Sequence, residues 1–135
     1  MEPKDVVRGF YESDLANNTE ALATYLHPEC QLNWHSSKGY HQFDFNKVNE
    51  LFTDIHRSYE SIRMHISHML QDGDFVTTRY TMMVRTIEDP DNEEPMAHFI
   101  TIWEVKDGKL YKGYEISQLA DVGTSSLNSF TTEKV

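Results

Sequence analysis

One carboxylate in this 135-residue chain stands where chemistry could be done. Glu115 interrupts the run KLYKGYEISQL, between Tyr114 and Ile116, two residues of the packing kind. On the wet face of a sheet it would be an ordinary surface charge. Turned inwards among apolar side chains, its ionised form would be poorly solvated and its pKa would rise. A glutamate tuned in that way serves as a general acid or base near neutral pH. Other chemistries find less support. Of the seven histidines, His65 and His68 are three apart, a spacing that sends them to opposite faces of a strand. His27, His35, His41, His56 and His98 form no local metal-binding pattern, so neither metal nor cofactor is expected. Cys30 is the single cysteine; with nothing nearby to lower its pKa it reads as a small core residue, not a nucleophile.

The bulk composition narrows the setting. The formal net charge of −10 argues against nucleic acid, whose phosphates would be repelled. No apolar run approaches the roughly 20 residues that span a bilayer. The opening MEPKDVVRGF lacks a basic segment followed by an apolar one, so no secretory signal is expected. A lone cysteine suits a reducing compartment, and a cytoplasmic location is the expectation.

The elements that must position Glu115 can be read from periodicity. Val7, Tyr11 and Leu15, with Val6 and Phe10 beside them, give a helical stripe over about 4–17. Asn18 or Thr19 could cap a short second helix that Pro28 ends. CQLNWHS then alternates as a half-buried strand, and a loop holding Gly39 follows. Asp44 or Asn46 could cap a third helix, on which Val48, Leu51, Phe52, Ile55 and Tyr59 share one face. Four strands complete the pattern, two of their connections marked by Asp72-Gly73 and Asp107-Gly108. Helices first and a meander after make an α+β domain over 1–121, with a polar tail, 122–135, that frays or drapes over a neighbour.

This order, with ALATYLHPECQLNW as the second helix feeding the first strand and WEVKDGKLYKGYEI as the closing hairpin, resembles the nuclear-transport-factor-2-like superfamily, in particular its SnoaL-like branch. The resemblance implies a cone: a curved, mostly antiparallel sheet wrapped around three N-terminal helices, with a pocket at the wide end. It covers about 6–121. Family members include isomerases, dehydratases, epoxide hydrolases, polyketide cyclases and proteins without catalysis, so fold alone does not name the chemistry. The tyrosine, base and acid of the ketosteroid-isomerase branch match Phe10, Trp34 and Thr101 here, none of which can do those jobs. The Asp-Arg-Asp set of the limonene-epoxide-hydrolase branch finds an echo only in Glu115.

Carried over position by position, the resemblance puts Phe10, Leu32, Trp34, Phe99, Thr101, Trp103 and Tyr111 around a small and largely apolar ligand. Gly113 in the same row would leave room beside it. Glu115 is the implied acid or base, and His35, just past Trp34, a proton shuttle at the mouth. Ile100 and Ile102 fall on the opposite, convex phase. Many relatives pair through that face, and a homodimer is expected. The rival expectation is a non-catalytic binding or dimerisation module of the same fold.

Overall fold

A computed structural model describes residues 2–18, 20–121 and 124–131. Helix α1 (Pro3–Glu12) buries Val6, Val7, Phe10 and Tyr11, the stripe read from the sequence. It stops five residues short of the expected end. Ser13 adopts an extended backbone, and its Oγ donates to the Phe10 carbonyl at 2.6 Å, competing with the next helical turn. Leu15 and Ala16 are nonetheless buried, in a turn pinned where His56 Nδ1 meets the Ala16 carbonyl at 2.7 Å. Helix α2 (Ala21–Tyr25) has Glu20, not Asn18, at its N-cap, with no side-chain cap bond; Asn18 instead accepts from the Glu20 N–H, and Thr19 lies outside the described residues.

Strand β1 (Leu26–Ser36) follows, and then a strand that was expected as loop, β2 (Gly39–Asp44). Most of its residues are exposed, so it lacks the apolar alternation that marks a half-buried strand. Asp44 Oδ1 accepts from the Lys47 N–H at 2.9 Å and caps helix α3 (Phe45–Ser58), as its sequence position predicts. Strands β3 (Tyr59–Asp72), β4 (Phe75–Thr86), β5 (Glu93–Lys106) and β6 (Lys109–Leu119) run antiparallel to one another. Asp107 and Gly108 both have positive φ, the requirement of a tight two-residue hairpin turn.

The six strands form one sheet in the order β2-β1-β6-β5-β4-β3. It is curved and unclosed, antiparallel except where β1 runs parallel to β6. The parallel join is what sets Trp34 beside Glu115. The concave face holds the core with α1 to α3, in an α+β cone of the kind expected.

Part of the tail is ordered against the convex face. Helix α4 (Thr124–Thr131) lies on β3 and β4, where the Arg79 guanidinium donates to the Ser129 carbonyl and hydroxyl at 3.0 and 3.1 Å. Phe130 is held between that guanidinium, 3.6 Å from its centroid, and the stacked ring of His98, 4.3 Å away. The rest of the expected tail, 122–123 and 132–135, lies outside the described residues. Beside α4, the convex face leaves Ile100, Ile102, Tyr114 and Ile116 exposed on adjacent strands.

Candidate functional site

The cone encloses a cavity of about 330 Å³. Its walls are almost wholly apolar: Phe10 and Tyr11 from α1, the inner face of α3, and the concave side chains of the sheet. Among the described residues, Glu115 is the one acidic residue that borders it and Lys38 the one basic residue. The alternation of β6 points Glu115 inwards, between Tyr114 and Ile116, which are exposed on the other face.

Two hydroxyls hold the carboxylate. Thr101, its direct partner across the β5–β6 pairing, donates to Oε1 at 2.7 Å, and Tyr80 from β4 donates to the same oxygen at 3.2 Å. Both bonds fall on Oε1, and no bond to Oε2 is made among the described residues. Burial pushes the Glu115 pKa up to about 7, against the smaller downward pull of the Thr101 and Tyr80 hydrogen bonds. The carboxyl therefore changes charge in the neutral range.

A second layer fixes the first. Tyr11 and Tyr80 face one another with centroids 4.6 Å apart, and Tyr80 stacks on Phe99 at 5.0 Å. The Trp103 indole N–H donates to the Tyr11 hydroxyl at 3.2 Å. Burial, and then the nearby Glu115 charge, raise the pKa of both phenols, which stay neutral hydrogen-bonding groups. Trp34 is pinned separately: its indole N–H donates to Ser117 Oγ at 2.8 Å. Ser117, two residues beyond Glu115 on the same face, also borders the cavity.

Of the positions expected around a ligand, Phe10, Leu32, Trp34, Phe99 and Trp103 border the cavity. Thr101 does not; it is fully buried behind the wall and acts on Glu115 instead. Tyr111 falls outside. Leu110 pairs with Val105 and Lys112 with Glu104, so Tyr111 occupies a bulge and the inward phase passes to Leu110. Its ring sits against His27 at 5.0 Å and under the Lys106 ammonium at 4.6 Å. His35 also falls outside: one residue past Trp34, it turns to the outer face, where it is exposed and packs on Tyr40 at 4.9 Å. Gly113 leaves no room beside it, because a Cβ there would lie 2.7 Å from Trp103 Cζ3 and 2.8 Å from Leu32 Cδ1. Cys30 is buried, its thiol pushed up to about 11 by burial and then by Asp44.

Tyr11 and Tyr80 were missed by the sequence reading. Tyr80 could have been found from alternation, since Val76, Thr78, Tyr80, Met82 and Val84 share the buried phase of β4. Tyr11 was visible only as a member of a packing stripe.

A family model for the SnoaL-like domain matches residues 7–112. The chain belongs to the SnoaL-like domain family. Solved structures agree on the fold of this SnoaL-like domain. IdmH from Streptomyces antibioticus, a proposed polyketide cyclase, superposes with a TM-score of 0.70 at 18% identity, over 87% of this chain and 92% of that one. A proposed SnoaL-like polyketide cyclase from Shewanella denitrificans gives 0.66 at 10% identity, over 94% of each chain. A hypothetical protein of ketosteroid-isomerase-like fold from Catenulispora acidiphila, solved with trimethylamine, gives 0.65 at 14% identity, over 97% and 94%. No curated protein shows significant sequence similarity to the chain. The family match ends at Lys112, before Glu115, so the case for that carboxylate is geometric.

Proposed function

We propose that this SnoaL-like domain binds a small, largely apolar molecule in its cone and uses Glu115 for cofactor-free acid/base chemistry of the isomerase, dehydratase or cyclase type. The observation that carries the reading is a carboxyl at the edge of an apolar cavity, one oxygen tied to Thr101 and Tyr80, with burial raising its pKa to about 7. As a base, the carboxylate would take a proton from a carbon next to a carbonyl. The C–H electron pair would move into the carbonyl as an enolate, and the proton on Oε2 would then be returned elsewhere on the molecule. Ser117 Oγ accepts from Trp34 and so keeps its own proton to offer a ligand oxygen.

The test needs no knowledge of the physiological substrate. 2-Tetralone, a flat apolar ketone, is incubated with the protein in deuterium oxide, and exchange at the carbons beside its carbonyl is followed by NMR. Exchange above the buffer rate that is lost in Glu115→Gln supports the base. Binding without exchange returns the protein to the second reading, a non-catalytic module. That second reading draws on the exposed Ile100, Ile102, Tyr114 and Ile116, an apolar face suited to pairing two copies.

A further inference from the structure

Within the cavity the two charged residues are set at different depths. Glu115 lies opposite Trp34 in the β1–β6 pairing, whereas Lys38 lies in the turn that follows β1. The same register, carried past His35↔Ile116, brings that turn towards the end of β6, where Leu119 also borders the cavity. Leu119 lies four positions beyond Glu115, about 13 Å along the strand. The Lys38 end is therefore the mouth, and Glu115 sits well inside it.

The turn is built to present Lys38. Its backbone N–H donates to Ser36 Oγ at 3.1 Å, and Gly39 takes the positive φ of 107° that turns the chain into β2. Ser36 and Ser37 border the cavity alongside it. Four other lysines are engaged, Lys47 with Glu50, Lys109 with the Ala23 carbonyl, and Lys106 and Lys112 over the Tyr111 ring, while Lys4 lies on α1 away from the cavity. Among the described residues the Lys38 ammonium has no carboxylate within salt-bridge distance. In a chain of net charge −10, a cation left without such a partner at the rim of an apolar cavity is a local exception to a field that repels anions.

We infer that the ligand is an amphipathic acid, its apolar body seated in the cone and its anionic group held at the mouth by Lys38. The inference rests on the reading of the cone as a ligand site, and it adds what that reading lacks, a determinant of specificity. An apolar wall can only discriminate by size and shape, whereas one ammonium with flanking hydroxyls discriminates by charge.

Two fluorescent probes of similar size separate the possibilities: anionic 1-anilinonaphthalene-8-sulfonate and neutral N-phenyl-1-naphthylamine. Ile116→Ser serves as a control against binding at the outer face. The expected result is that Lys38→Met weakens the anionic probe by roughly 5- to 10-fold and Lys38→Glu by more, with the neutral probe unchanged and the wild-type preference shrinking in salt. If the neutral probe binds and the anionic one is indifferent to residue 38, the inference is overturned while the cavity reading stands. If neither probe binds, or if Ile116→Ser abolishes both, the cavity reading fails and the inference falls with it.

Discussion

Thr101 Oγ1 and Glu115 Oε1 stand 2.7 Å apart across the β5–β6 pairing, so sheet register itself sets the donor on the acid. A one-residue slip on either strand would send one of them to the convex face. The hydroxyl orients the carboxyl and restrains its pKa, and neither task requires a loop.

Replacing Glu115 by Gln should change how stability depends on pH. The folded-state pKa, about 7, lies above the ordinary value of 4.5. Stability from the neutral carboxyl is thus fully present below pH 4.5 and lost as pH rises through 7. Urea denaturation should find wild type and Glu115→Gln alike near pH 4, and the variant more stable near pH 8 by up to about 3 kcal/mol. Equal pH profiles would show that the carboxyl is well solvated.

Thr101→Val keeps the shape and removes the shorter donor. Because that hydrogen bond favours the ionised form, the Glu115 pKa should climb further, by about one unit. Carbon-13 NMR titration of the carboxyl reads it directly. A variant that lost stability with an unmoved pKa would assign Thr101 to packing alone.

Gly113→Ala should be costly although the backbone there is unstrained. The added Cβ meets the Trp103 ring and Leu32, and the ring cannot swing away without giving up its bond to Tyr11. Thermal or urea unfolding should report a loss of about 1–3 kcal/mol. An alanine variant as stable as wild type would mean that the indole is free to move.

On the convex face, Ile100→Asp with Ile116→Asp should abolish pairing if two copies meet there. Sedimentation should find twice the 15.8 kDa chain mass for wild type and the single mass for the double variant. A wild type that sediments as a 15.8 kDa species at micromolar concentration removes the dimer.

Alternation made much of this site legible. Period-two patterning put Leu32 and Trp34 on one phase of β1, because strands buried on one face sort their side chains by parity, whereas the inward phase of Trp103 and Glu115 was implied by the family resemblance. Tyr111 broke the rule, since a bulge resets parity without leaving a sign in the residues themselves. Strand β2 was hidden because its pairing to β1 is a backbone matter, made by residues with little to bury. Tyr11 was hidden for another reason: at the sequence level a phenol on an apolar stripe and a phenol beside an acid look the same. Gly113 shows the converse, a residue whose missing side chain accommodates a neighbour in place of a ligand.

The parallel seam between β1 and β6 also bears on how the molecule comes into being. Its bonds join the first strand to the last, as where Asn33 donates to the Gly113 carbonyl 80 positions away. A growing chain can zip β3, β4 and β5 by neighbouring hairpins, yet Trp34 must wait for β6 before it has Ser117 and Glu115 beside it. Such long-range closure is slow. During synthesis the pairing that sets Glu115 beside Trp34 is thus among the last to form, and until then β1 lacks its β6 neighbour.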